Sequence, residues 1–375
     1  MSKLPHVGTT IFTVMSQLAN EHKAINLSQG FPNFPVDDRL TAILKSISAE
    51  PIHQYAPMGG NSSLLEGISQ LILDEYKRTL DPSTEILVTA GATEGIFATI
   101  QALVKPGDEV LILDPSYDCY EPPIILTGAK AIRIPLNDDF SPNWERIEKA
   151  ISPKTSLLIF NNPHNPSGTL WRKEDIDQLE RIAQLHPQLR FLSDEVYEFI
   201  TFEEKHISIN TRSELREKTI IVSSFGKTFH ITGWKIGYLV APEQLMNEIK
   251  KVHQFLVFSV NSVAQEALSR YIQQINVSEL GGFYQQKRDH FRELIQGSRF
   301  KLLPSQGTYF QLADYSEIST QDDVDFCKEL VVKHGVAAIP VSVFREDKKQ
   351  QKLIRFCFAK DGETLKQAAE RLCKI

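Results

Sequence analysis

The chain of 375 residues is 42% hydrophobic and 23% charged, with a formal net charge of −6 at pH 7. That length suffices for two domains, or one large domain with a lobe, and buries a core without covalent staples; the acidic balance argues against nucleic acid or anionic membrane as a partner. The four cysteines, Cys119, Cys327, Cys357 and Cys373, form no C-x-x-C pair and no metal-ligand spacing with histidine, so no metal site is expected and a reduced, cytoplasmic setting fits.

Residues 1–13 lack the basic-then-apolar layout of a signal peptide, and no stretch is long and apolar enough to span a bilayer. From residue 85 onward the chain repeats one grammar: a short apolar run, a turn, then a helical pattern. Residues 85–90 read as a strand, Gly91 as the turn, and 93–103 as a helix with Ile96, Phe97, Ile100 and Leu103 at helical spacing. Residues 110–113 form a second strand, stopped by Asp114-Pro115. Residues 156–160 form a third, followed by Asn162-Pro163-His164-Asn165-Pro166-Ser167-Gly168, where proline forbids a continued ladder. Residues 191–192 lead into Ser193-Asp194-Glu195, and 219–222 into Ser223-Ser224-Phe225-Gly226-Lys227. Apolar strands alternating with helices predict an α/β fold with a mostly parallel sheet between helices. A long helix is predicted over 242–274. Beyond it, strands at 309–312, 336–339 and 353–358 with helices at 322–334 and 363–373 predict a smaller α+β lobe, joined by residues 5–44 and packed closely for want of a flexible linker.

Ligands of such sheets bind beyond the carboxyl ends of the strands, and the polar residues named above lie there. Gly91-Ala92-Thr93 can present backbone N–H groups to an anion at a helix N-terminus, or be a capped turn. Lys227 is either a desolvated amine, hence a nucleophile, or a surface charge. Lys235, flanked by Gly233 and Gly237, would attract phosphate if it lay near, and otherwise sits beside Trp234. Asp194 ends an apolar strand and needs a partner such as a protonated ring nitrogen, unless it caps the next helix; Tyr197 follows three residues later. Asn165 is held between prolines, as a ligand donor or a plain turn. Arg355 lies inside an apolar strand, where its fork suits a carboxylate if it points inward and solvent if the strand is an edge.

Together these residues resemble the class I and II aminotransferases, which share pyridoxal 5′-phosphate (PLP) fold type I. The likeness runs from Leu27-Ser28-Gln29-Gly30-Phe31-Pro32 to the terminal lobe. Three ordered motifs carry it: Asn165 in its Pro-His-Asn-Pro setting, Ser193-Asp194-Glu195-Val196-Tyr197, and the stretch from Ser223 through Lys227 to Lys235. The resemblance implies a large PLP-binding domain over 45–280, an N-terminal segment 1–44 joining the small domain, and a small C-terminal domain over 281–375. It implies Lys227 as the Schiff-base lysine and Asp194 as the partner of the pyridine nitrogen. Tyr197 and Asn165 would meet the phenolic oxygen, with Ala92, Thr93, Ser224 and Lys235 around the phosphate and Tyr117 stacked on the ring. Many relatives carry arginine at Lys235, so the fork is lost while the charge remains. Arg355, with Gly30 and Asn165, would hold the substrate α-carboxylate. Tyr55 would reach the phosphate of a neighbouring subunit, implying a homodimer with active sites at the interface.

Within the family, residues 2–12, 54–58, 114–118 and 223–228 are similar to those of bacterial methionine aminotransferases, near relatives of kynurenine and glutamine transaminases. The implied activity moves the amino group of methionine, and of aromatic amino acids, to a 2-oxo acid by a ping-pong route. Kynurenine or glutamine transamination and cysteine-conjugate β-lysis are the alternatives. Phe31, Tyr55, Tyr117 and Phe344 are candidates for an apolar side-chain pocket, or for core.

Overall fold

The structure, a computed structural model, describes residues 2–348 and 351–375. Met1 of the expected N-terminal segment and residues 349–350 of the expected small domain lie outside the described residues. A seven-stranded sheet is built from β1 (Ile86–Thr89), β2 (Glu109–Asp114), β3 (Lys130–Pro135), β4 (Thr155–Asn161), β5 (Arg190–Asp194), β6 (Thr219–Ser224) and β7 (Gly237–Val240), in the spatial order β1-β7-β6-β5-β4-β2-β3. The β3-β2-β4-β5-β6 run is parallel. β7 alone among these is reversed against both neighbours.

Successive strand residues point to opposite faces, so each apolar run feeds two cores. Val110 and Ile112 join one with Ile159, Leu192 and Val222. Leu111 and Leu113 join the other with Leu158, Phe191 and Ile221. A strand buried on both sides must be apolar throughout, as expected for a parallel sheet covered by helices. β3 escaped the sequence reading because Lys130 and Arg133 interrupt its apolar run at the edge of the sheet. β7 escaped it because it follows β6 through only a short helical turn, Phe225–Thr228, and a 3-10 turn, Thr232–Trp234.

The helix predicted over 242–274 is two helices, Glu243–Leu256 and Ser262–Tyr271. Phe258 between them takes φ +65°, a conformation no helix interior accepts. The Asn261 side chain then accepts the Ala264 N–H at 2.8 Å and starts the second helix.

A four-stranded antiparallel sheet holds β8 (Lys301–Leu302), β9 (Phe310–Asp314), β10 (Ile339–Pro340) and β11 (Leu353–Cys357), in the order β10-β11-β9-β8. The single strand predicted over 336–339 is divided: Val336–Ala337 pairs in parallel with Ile25–Asn26, and only Ile339–Pro340 enters the four-stranded sheet. Leu27 carries the join further, its carbonyl accepting from Cys357 N–H at 2.8 Å. Residues near Gly30 are thereby fixed between the two sheets. Among the described residues no helix is long and apolar enough to cross a membrane, and no group of three or more His, Cys, Asp or Glu side chains is placed to hold a metal ion.

Candidate active site

A cavity of about 390 Å³ opens beyond the carboxyl ends of β1, β4, β5 and β6. At one end β1 turns at Gly91, φ +77°, into the helix Ala92–Leu103. Gly91 is the cap and supplies no side-chain bond, so the helix starts with free N–H groups and the positive end of its dipole. Ala92, Thr93, Ser224 and Lys235 line this end. A Cβ on Gly91 would stand 3.2 Å from Lys235 Nζ, and one on Gly237 only 2.9 Å from the Ala92 nitrogen. Two glycines therefore let a cation and a helix N-terminus share one anion-sized place.

At the centre Lys227 sits on the turn after β6, its Nζ donating to the Gly30 carbonyl at 3.3 Å. Tyr309 Oη donates to the same carbonyl at 2.6 Å. The amine stands 5.8 Å from the Tyr197 ring centroid and 5.7 Å from that of Tyr309. Burial is the main reason its pKa falls to about 8, with the charges of Arg355 and Lys235 adding to the effect and Asp194 opposing it.

Asp194 ends β5. Burial raises its carboxyl to about 6, against the hydrogen bonds it accepts. Tyr120 Oη donates to Oδ2 at 2.6 Å and the Val196 N–H to Oδ1 at 3.3 Å. Asn161 braces this place: its Nδ2 donates to the Asp194 carbonyl at 2.8 Å, and its Oδ1 accepts the Asn165 N–H at 2.6 Å. Tyr117 lines the cavity with its ring 6.2 Å from that of Tyr120, at 81°.

Arg355 is central in β11 and fully buried. It points inward, which resolves the alternative of a solvent-facing edge. One terminal nitrogen donates to Asn165 Oδ1 at 2.6 Å and the other to the Ser28 carbonyl at 3.3 Å. Its guanidinium carbon lies 3.8 Å from the Phe310 ring centroid, while Phe344 and Phe12 stand 5.3 and 5.4 Å away. Arg355 Nε is buried without a hydrogen-bond partner, and among the described residues no carboxylate pairs with the group. A buried guanidinium without a counter-ion is costly, so an anionic guest suits it.

The cavity thus gathers Gly30, Ala92, Thr93, Tyr117, Asn165, Asp194, Tyr197, Ser224, Lys227, Lys235 and Arg355. Tyr55 is not among its lining residues; it is 82% exposed and rests edge-on against Phe258 at 5.3 Å. Two pocket candidates are corrected. Phe31 turns away beneath Lys360, whose Nζ lies 4.7 Å from its ring and donates to its carbonyl. Phe344 is buried and braces Arg355 from behind. Sequence reasoning missed Tyr120, Asn161, Tyr309, Phe310 and Phe12. Only Tyr120, three residues after Tyr117, and Asn161, ending an apolar strand, carried a local signal.

Sheet, cavity and charges together have the form of a PLP fold-type-I enzyme, and the sequence profile of the family "Aminotransferase class I and II" matches residues 22–372. The chain belongs to that family. It is 49% identical over 378 residues to the methionine aminotransferase of Escherichia coli K12, covering 100% of this chain and 98% of that one. It is 34% identical to the kynurenine–oxoglutarate transaminase of Dictyostelium discoideum, over 98% of this chain and 94% of that one. The solved structure of E. coli YbdL, described as having a methionine aminotransferase function, matches with a TM-score of 0.97 at 48% identity, covering 100% of this chain and 99% of that one.

Class I and II aminotransferases of this fold use pyridoxal 5′-phosphate. The residues present fit it. The Gly91 turn with Lys235 suits a phosphate. Asp194 is a buried carboxylate with hydrogen-bond donors and, among the described residues, no paired cation, which suits a protonated ring nitrogen. Lys227 is an amine whose neutral form burial favours, which suits an aldehyde.

Proposed function

We propose that this aminotransferase takes the amino group of methionine, and of aromatic amino acids, and delivers it to a 2-oxo acid by a ping-pong route. The observation that carries the reading is the convergence on one cavity of half-buried Lys227 with buried Asp194 and Arg355. The wall between them is aromatic and aliphatic, with Phe12, Ile96, Tyr117, Val196 and Phe310, and supports an apolar side chain. The names of the E. coli relatives support methionine; that of the Dictyostelium relative supports kynurenine as the nearest alternative.

In this reading Arg355 and Asn165 fix the substrate α-carboxylate, with the Gly30 backbone beside them. Bound pyridoxal phosphate supplies an electron-accepting ring that stabilises the charge left when the Cα proton departs. Lys227 would hold the cofactor between turnovers, and its free amine would take the Cα proton and later return it, as base and then acid. Asp194, steadied by Tyr120, would keep a negative charge to pair with a protonated ring nitrogen. Tyr197 and Asn165 would meet the phenolic oxygen, Tyr117 would cover the ring, and Ala92, Thr93, Ser224 and Lys235 would hold the phosphate.

The homodimer belongs to the same proposal. Tyr55, Phe255, Leu256 and Phe258 are all exposed, an apolar patch suited to a second copy that would receive Tyr55 at its phosphate. Division into an N-terminal segment (1–44), a large domain (45–280) and a small domain (281–375) is supported by the two separate sheets and by the Ile25–Asn26 pairing. Free thiols at all four cysteines support a cytoplasmic setting.

The test mixes purified protein carrying PLP with one amino acid at a time, without acceptor, and follows cofactor absorbance. Fastest conversion with methionine supports the reading. Fastest conversion with kynurenine or glutamine overturns the substrate, and pyruvate and ammonia from cysteine conjugates favour β-lysis. No cofactor band after adding PLP removes Lys227 from its role.

A further inference from the structure

The charged side chains that line the cavity are Lys227, Lys235, Arg355, Asp194 and Asp118. Four of them have work in the reading above. Lys235 stands beside Gly91 at the anion end. Lys227 is bonded to Gly30. Arg355 is bonded to Asn165 and Ser28. Asp194 is bonded to Tyr120. Asp118 is left over.

Asp118 follows Tyr117 on the turn after β2, at the mouth of the cavity, where water still reaches it. Surrounding protein crowds its carboxyl and raises its pKa, while its own backbone N–H and the positive charge of Arg355 oppose that rise. Asp118 and Arg355 line the same cavity, so the carboxylate faces the space where Arg355 would receive a substrate α-carboxylate. Among the described residues it forms no ion pair.

A substrate with a second carboxylate needs a second cation. Among the described residues this cavity has none to spare, and at its mouth it offers a carboxylate instead. We propose that Asp118 is a specificity-determining residue: it turns away amino acids and 2-oxo acids with an acidic side chain and leaves the site to monocarboxylic donors and acceptors. The inference rests on the aminotransferase reading and deepens it by fixing the charge class of both substrates. Like charges brought together across a site oppose binding even where water reaches one of them. A neutral side chain meets no such opposition, because Arg355 recognises only the α-carboxylate that every substrate shares.

The experiment compares the PLP-loaded wild type with Asp118→Asn in the half-reaction, using methionine and glutamate separately, and reads the ratio of their kcat/KM values. The substitution should raise the glutamate-to-methionine ratio about tenfold, the repulsion being reduced by solvent at the mouth. In the wild type the ratio should rise between low and high salt as the repulsion is screened. In the variant it should stay level, a difference that mere loosening of the turn would not produce. The salt series on the wild type stands even if the variant fails to fold. A wild type that converts glutamate as readily as methionine overturns the proposal, as it would if a partner subunit supplied the missing cation. So does a ratio unmoved by either the substitution or salt. Absence of conversion with every amino acid is the separate failure of the aminotransferase reading itself.

Discussion

Replacing Tyr120 with Phe deletes one hydroxyl from a buried pair and should move the titration of Asp194. The bond from Tyr120 Oη, 2.6 Å long, opposes the burial that has pushed the carboxyl up to about 6. A hydrogen bond to a charged group contributes roughly 1.5–3 kcal/mol, equivalent to about one to two pKa units. Without it Asp194 should titrate near neutrality or above. Only the ionised carboxylate accepts from a protonated ring nitrogen. For a shift of about 1.5 units, PLP affinity should fall about fourfold at pH 7 and further at pH 6, and match the wild type near pH 9. The fold feels the same group with its own sign. Because the pKa rises from 3.8 to about 6 on folding, the stability it contributes to the cofactor-free protein is fully present below pH 3.8 and lost as pH climbs through 6, about 3 kcal/mol in all. Titrating PLP into wild type and Tyr120→Phe at each pH from 6 to 9, followed by protein fluorescence, measures the first effect. Superimposable affinity profiles would refute the role given to Tyr120.

Three further outcomes are expected. Lys227→Ala should abolish transamination while still binding PLP without a covalent band, and in the wild type the rate of covalent capture should rise with pH and level off above about 8, where the amine is neutral; stopped-flow absorbance reads both. Arg355→Lys keeps the charge but loses the fork held by Asn165 and Ser28, and should lower kcat/KM for amino acids about a hundredfold, with PLP affinity changed far less. Gly91→Ala forces a side chain into φ +77° and against Lys235; it should destabilise the protein by about 1 kcal/mol and weaken PLP and inorganic phosphate together, seen in thermal melts with and without each ligand.

The sheet was legible where a strand is buried on both faces, as in 110–113 and 219–222, because burial alone demands an unbroken apolar run. It was illegible at Lys130–Pro135, an edge strand with charges in it, and at Gly237–Val240, whose reversal depends on a short connection rather than on composition. The break in the predicted 242–274 helix was marked only by Asn261, which reads equally as a surface residue until its cap is seen. In the site, the residues that would touch cofactor or substrate stood out as polar groups at the ends of apolar strands. The residues that support them did not. Tyr309 and Phe310 come from the far end of the chain, and nothing in their neighbourhood announces that they meet Gly30 and Arg355. Tyr120 resembles any buried tyrosine until Asp194 is found beside it.

Arg355 is bonded to Ser28, and Cys357 to Leu27, so the wall that would hold the substrate joins residues more than 300 positions apart in the sequence. Gly91, Asp194 and Lys227 all emerge before it. At a synthesis rate of about 5–20 residues per second, roughly ten seconds separate the appearance of Lys227 from that of Arg355. The residues that would hold the cofactor thus all leave the ribosome before β11, which would complete the grip on a substrate.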